Sequence, residues 1–247
     1  MLKDKIKILL LGNDRPKKDI KPAIQNQIRN LARLWRNETY NDFGIERLYR
    51  LFLTIFQFIS IGLYVKHISG RFGLLGRKIG VDILVIAKIL IPIFLLSTSG
   101  FIRAWAPYLV GYLLIDTVIY LNYLIFCSDL NARPITYRRS IINIFCNYIE
   151  VALDFSVIYA NCNYYDHCFF NRPLHHNFEA VYYSFVTTAT VGYGDIFPQT
   201  VLAQFLAVTQ IVLFFVFVGF LFNFYASKAE VDSYFAKERG SESQQID

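Results

Sequence analysis

Five stretches of this chain approach the length an apolar helix needs to cross a lipid bilayer: residues 48–66, 82–100, 107–127, 141–161 and 201–227. A hydrocarbon core about 30 Å thick takes roughly 20 mostly apolar residues per helix. Inside it every backbone N–H and C=O must bond within the protein. The expected fold class is therefore an all-α membrane protein. Composition agrees, with 55% hydrophobic, 17% aromatic and only 18% charged residues and a mean hydropathy of +0.36. Disorder needs the opposite balance. Four cysteines in 247 residues also exclude a small disulfide-stapled scaffold.

The charge is unevenly placed. Residues 1–50 hold 12 Lys and Arg against 6 Asp and Glu, while 51–247 hold 13 against 13. A polycationic segment can mark nucleic-acid binding. Next to apolar blocks the reading adopted here is a membrane-flanking segment, with no nucleic acid as partner. Within it, Ile24, Ile28, Leu31 and Leu34 recur at helical spacing beside Arg29, Arg33 and Arg36. Two readings are open: an amphipathic helix on the membrane or a partner, and a solvated helix with a small buried stripe. No secretory signal is convincing at the start, because Pro16, Lys17 and Lys18 follow a very short apolar run.

Between the fourth and fifth blocks the chain reads Thr190, Val191, Gly192, Tyr193, Gly194, Asp195, after an apolar run over 178–189. A lone Gly-Tyr-Gly is ordinarily a surface turn. The full hexapeptide behind a helix-like run and between two spanning blocks is far more specific. With Tyr182, Tyr183, Ser184, Thr187, Thr188 and Pro198, it resembles the pore loop of tetrameric potassium channels. The resemblance covers about residues 141–227, as outer helix, pore helix, filter and inner helix. It does not extend to the first 140 residues.

The chemistry of such a loop is set by dehydration. A K+ ion must leave its water shell, so stacked rings of oxygens have to replace it. Consecutive carbonyls can all point inward only if the backbone alternates in handedness, which glycine accepts and other L-residues resist. Gly192 and Gly194 sit two apart, as that alternation demands. The resemblance implies K+ held by carbonyls of Thr190, Val191, Gly192 and Tyr193, with the Thr190 hydroxyl adding a ring. K+ is then the permeant ligand, and no other cofactor is expected. One filter strand cannot enclose an ion and the chain holds one such motif, so a homotetramer is implied.

Support for the filter is expected from Tyr182, Tyr183, Thr187 and Asp195. In the family the acid often bonds an aromatic behind the filter. Either Tyr182 or Tyr183 would supply the hydroxyl here, and a solvated rim position for Asp195 is the alternative. Some members carry a Glu where this chain has Val186, so their filter stiffness does not transfer. Asn177 is the expected N-cap of the pore helix, and Glu179 suits its first turn.

Phe214, Phe215, Gly219 and Phe222 on the inner helix form a candidate gate, since bulky apolar rings close a pore by dewetting. Ordinary packing is the competing reading for each ring. Gly219 is the inner helix's only glycine, whereas many family members place a hinge glycine where this chain has Phe214. Gln210 and Asn223 are polar and expected to face the cavity.

Placing the filter toward the outer side puts 128–140 and 67–81 inside, with Arg133, Arg138, Arg139, Arg71, Arg77 and Lys78, as the positive-inside bias requires. A crossing at 48–66 would then leave the basic N-terminal segment outside. The first block is therefore read as interfacial or re-entrant, giving four crossings; Thr54, Gln57 and Ser60 give it a wettable face. The sequon Asn37-Glu38-Thr39 would matter only if that end were outside. No block shows Lys or Arg at every third position, which disfavours a voltage sensor.

Lys88, Asp116, Glu150 and Asp154 lie within apolar blocks. Lys88 and Asp116 read as a helix–helix ion pair, and Glu150 and Asp154 share one face. Cys162 and Cys168 flank an outer turret where a disulfide is open. Nearby His167, His175 and His176 match no established zinc spacing. No catalytic constellation or phosphate loop appears, so the chain is not read as an enzyme.

The domain reading is 1–47, a basic cytoplasmic or interfacial segment; 48–140, a membrane domain of unassigned role; 141–227, the pore domain; and 228–247, a short cytoplasmic tail. The expected function is passive K+ conduction by a multi-pass protein of the lipid bilayer, in the cell membrane. A weakly selective cation channel and a non-conducting regulatory membrane subunit are the alternatives.

Overall fold

The computed structural model describes residues 22–37, 43–130 and 137–215. Every regular element among them is helical. In chain order these are α1 (Ala23–Arg36), α2 (Gly44–Phe56), α3 (Ile61–Ser69), α4 (Gly73–Ser97), α5 (Ala106–Phe126), α6 (Tyr137–Tyr165), α7 (Asn177–Thr188) and α8 (Val201–Phe215), with short 3-10 turns at Gly70–Phe72, Gly100–Ile102 and Ser128–Leu130. The chain divides into two compact units, Met1–Leu84 and Val85–Asp247.

Three helical segments are long and apolar enough to cross a bilayer: Leu75–Ser97, Ala106–Phe126 and Ile141–Tyr165. The protein is an all-α, integral, multi-pass membrane protein. Helix α8 is apolar and described over 15 residues, so only the first part of block 201–227 falls within the described residues. The block at 48–66 is not one helix. It breaks at residues 57–60, and the flanking arms Gly44–Phe56 and Ile61–Phe72 meet at a bend of 59°. Gln57 and Ser60 mark the break, where Ser60 takes an extended conformation ahead of α3.

In the second unit α6 is the central helix, packing against α5, α7 and α8. It buries Val151, Phe155, Val157, Tyr159 and Ala160 together with the polar Asn147, Glu150, Asp154 and Ser156. Near its C-terminal end, Asn161 donates to the Phe101 carbonyl at 2.6 Å and the Tyr165 hydroxyl to that of Ile102 at 2.8 Å. The tight turn between α4 and α5 is thereby fastened to α6.

The expected Lys88–Asp116 ion pair forms, and it is larger than two residues. Lys88 Nζ lies 2.6 Å from Asp116 Oδ2 and donates to Thr117 Oγ1 at 2.8 Å; the Thr117 hydroxyl donates to Glu150 Oε1 at 2.8 Å. Glu150 Oε1 is also 3.6 Å from the ammonium. One lysine from α4 thus joins acids from α5 and α6, all three side chains buried. Removing one partner of such a pair leaves uncompensated buried charge and costs about 3–5 kcal/mol. Lys88→Met is expected to lower the thermal unfolding midpoint of the solubilised protein sharply. Lys88→Met combined with Asp116→Leu is expected to recover part of that loss.

Candidate functional site

The pore-loop region is built around α7. The helix begins at Asn177 with His176 as its extended N-cap, and no side chain caps it. Asn177 is therefore the first helical residue rather than the cap expected from sequence. Its side chain is committed elsewhere, donating to the Leu96 carbonyl at 2.7 Å. Glu179 does serve the first turn: its Oε2 accepts the His175 backbone N–H at 2.7 Å, and Arg172 reaches both its oxygens at 3.1 and 3.2 Å. Partial desolvation opposes the Glu179 charge, but these donors prevail and hold its carboxyl below the usual value.

One face of α7 is fixed by a buried polar knot. Gln210 of α8 donates from Nε2 to Ser184 Oγ at 2.7 Å, to Thr188 Oγ1 at 2.5 Å and to the Ser184 carbonyl at 3.1 Å. Its Oε1 accepts the Tyr159 hydroxyl at 2.7 Å. Ser184 in turn donates to the Ala152 carbonyl of α6 at 2.6 Å. Gln210 is only 1% exposed. This corrects the expectation that it faces a watery cavity: it is the bolt joining three helices. Asn223 lies outside the described residues.

Aromatic packing closes the other side. Tyr183 is buried against Tyr159 and Phe170, with ring centroids at 4.9 and 4.6 Å, and Phe169 completes the cluster. Thr187 lies within hydrogen-bonding reach of Tyr183. The hydroxyl that meets Asp195 comes from Tyr182, at 3.2 Å. The Tyr182 ring also stacks on Tyr193, with centroids 6.4 Å apart and planes 4° from parallel. Of the two tyrosines offered by the sequence, one braces the segment that follows α7 and the other anchors the helix.

After α7 the backbone alternates. Thr190, Gly192 and Gly194 have φ of +54°, +60° and +80°, and Val191 and Tyr193 between them do not enter that region. The two glycines were expected from sequence; Thr190, which is not a glycine, was not. Its conformation is held from the helix end, where Thr190 N–H bonds the Thr187 carbonyl and Val191 N–H bonds that of Val186, both at 3.0 Å. A Cβ built on Gly192 or Gly194 meets nothing within 4 Å. These glycines therefore answer a demand of backbone handedness, not of space.

Beyond the loop, residues 195–199 are clamped to the turret, and the sequence did not disclose this. Phe170 bridges antiparallel to Pro198. Asn171 donates from Nδ2 to the Asp195 carbonyl at 3.0 Å and accepts the Phe197 N–H at 2.9 Å, while its own N–H bonds the Phe197 carbonyl at 3.0 Å. The Gln199 N–H bonds the Phe169 carbonyl at 3.1 Å.

Among the candidate gate residues, Phe214 is half-buried with its ring 5.9 Å from Tyr148 of α6, and Phe215 is exposed. Gly219 and Phe222 lie outside the described residues. Cys162 and Cys168 carry free thiols. Among the described residues no group of three or more His, Cys, Asp or Glu is placed to hold a metal ion.

Residues 148–230, about a third of the chain, match a family model described as ion channel. No curated protein and no solved structure matches the chain. The knot makes a sharp prediction. Gln210→Leu leaves the Tyr159 hydroxyl without its acceptor, at about 1–3 kcal/mol per buried group left unpaired. It is expected to destabilise the solubilised protein clearly more than Val212→Ala on the exposed face of α8, as thermal unfolding would read. With the matched segment running through α7 and α8, the family likeness supports a pore-forming ion channel subunit set in an all-α, multi-pass membrane protein.

Proposed function

We propose that the chain is the pore-forming subunit of a homotetrameric, potassium-selective channel that conducts K+ passively down its gradient. The observation that carries this reading is the alternating backbone at Thr190, Gly192 and Gly194. Alternation of this kind turns successive carbonyls toward one side, so Thr190, Val191, Gly192 and Tyr193 would offer K+ a ladder of oxygens in place of its hydration shell. The carboxyl end of α7 stops at Thr188, immediately before that ladder, where its partly negative dipole favours a dehydrating cation.

Four copies are needed to close a ring. In support, the single chain leaves apolar groups beside the ladder uncovered: Tyr193 is 70% exposed and Val191 51%. Val201, Phe205, Val208, Val212 and Phe215 continue as an exposed stripe along α8 at spacings of three and four. A neighbouring copy would cover part of this surface. Tyr182, Tyr183, Thr187 and Asp195 act as braces in this reading, and the cell membrane is its setting.

Purified protein reconstituted in vesicles is expected to pass K+ with Ba2+ block and to give a reversal potential that follows the K+ gradient in mixed K+ and Na+. Equal passage of Na+ would favour a weakly selective cation channel. No flux at all would favour a regulatory subunit. Gly192→Ala is expected to abolish selective flux while the protein still folds, because its penalty is a left-handed φ costing about 1–2 kcal/mol and not a clash. Mass measurement in native conditions is expected to give four copies.

A further inference from the structure

The first unit is built inside out. Where α1 meets α2 and α3, polar side chains are buried among a few apolar ones: Gln27 and Asn30 from α1 and Arg50, Thr54, Gln57 and Ser60 from the bent pair, beside Ala23, Leu34, Leu53 and Leu63. Gln27 Nε2 bonds the Thr54 carbonyl across this seam at 3.0 Å. The face that the sequence suggested as wettable is thus sealed by α1. The opposite face is apolar and uncovered. Ile45, Leu48, Phe52, Ile55 and Ile59 recur at spacings of three and four and are each 46–86% exposed. On the second arm Ile68 and Phe72 continue the pattern, Phe72 at 81%. Water-soluble proteins rarely display so large an apolar surface, and none gains by hiding amides behind it.

Length and charge identify what covers that surface. The arm of 13 residues reaches about 20 Å and the second, Ile61–Phe72, about 18 Å, so neither alone crosses a core of about 30 Å; the bent pair taken together is long enough for one broken span, and it is the charge that decides between a crossing and a wedge. Their 59° bend would set the elbow only about 10 Å below a plane through the two outer ends, the depth at which interfacial helices rest. The far end of the pair is basic, with Lys66 and Arg71, while at the near end Arg47 stands beside Glu46. Helix α1 adds Arg29, Arg33 and Arg36 and no acid. Over residues 22–84 there are nine Lys and Arg against four acids, Glu38, Asp42, Glu46 and Asp82. Helix α1 packs against both arms with Arg29, Arg33 and Arg36 exposed, so a crossing would carry them into hydrocarbon, whereas a wedge keeps them on a negatively charged surface.

We propose that this unit is an in-plane wedge whose partner is the anionic phospholipid of the cytoplasmic leaflet. The α2–α3 stripe sits among acyl chains. Helix α1 lies over it at headgroup level, with Trp35, 70% exposed, at the interface.

Trp35 and Trp105 are the chain's two tryptophans, which makes the full-length protein its own depth gauge. Trp105→Phe isolates Trp35; adding Phe52→Trp and Trp35→Phe moves the reporter to the stripe. Both are reconstituted in phosphatidylcholine vesicles with and without phosphatidylglycerol. Reporter 52 is expected to be quenched by lipids brominated along the upper acyl chain and untouched by aqueous iodide. Trp35 emission is expected to shift blue as phosphatidylglycerol is added, and Arg29→Gln with Arg33→Gln is expected to abolish that shift while leaving the quenching at 52. Iodide access at 52 would overturn the proposal, as would protection there from both quenchers, which would mean protein covers the stripe. A Trp35 response indifferent to anionic lipid would also overturn it. In a cysteine-free background, Ala32→Cys is expected to react with impermeant maleimide only after cells are permeabilised. Reaction in intact cells would refute the cytoplasmic placement.

Discussion

Backbone that leaves regular secondary structure at membrane depth must find its hydrogen-bond partners inside the protein, because lipid offers none. In the proposed pore the segment from Thr188 to Gln199 would be such backbone, and its hydrogen bonds come from elsewhere in the second unit. Gln210, Ser184 and Thr188 hold the helix that leads into it. Asn171 and the Phe170–Pro198 bridge hold the strand that leaves it. Between those two fixings the chain takes three left-handed steps at alternate residues, a conformation that would relax if either end were free.

The two fixings differ in kind. The inner one is enclosed and made of neutral groups, so its strength comes from the cost of leaving any member unpaired. The outer one joins two main-chain bonds to two made by the Asn171 side chain, which copies the pattern of a paired strand. The Tyr182 hydroxyl on Asp195 and its ring against Tyr193 add a third, lighter contact along the length of the loop.

What could be read in the sequence was whatever depends on local spacing. Two glycines at alternate positions, a helix of pore-loop length before them and apolar blocks of bilayer length all declare themselves without a fold. The tyrosine–acid contact was narrowed to two candidates because both stand next to one another on α7. What could not be read depends on distant pairing. A glutamine in an otherwise apolar helix gives no sign of whether it looks toward water or toward a serine 26 residues earlier. Asn171 is an ordinary turret residue until Asp195 and Phe197 are placed beside it. Asn177 has the composition of a cap, but a carbonyl 81 residues away claims its side chain. Block 48–66 reads as interfacial or re-entrant from its flanking charge, and the break at 57–60 with its 59° bend agrees, but where the break falls could not be read from composition.

The turret is usually the most variable and least consequential part of such an architecture, a loop between two elements. Here it has no slack where it matters. Residues 169–171 are bonded straight to 195–199, with no intervening linker. Any displacement of residues 169–171 is therefore carried directly into the segment that leaves the left-handed steps at Thr190, Gly192 and Gly194.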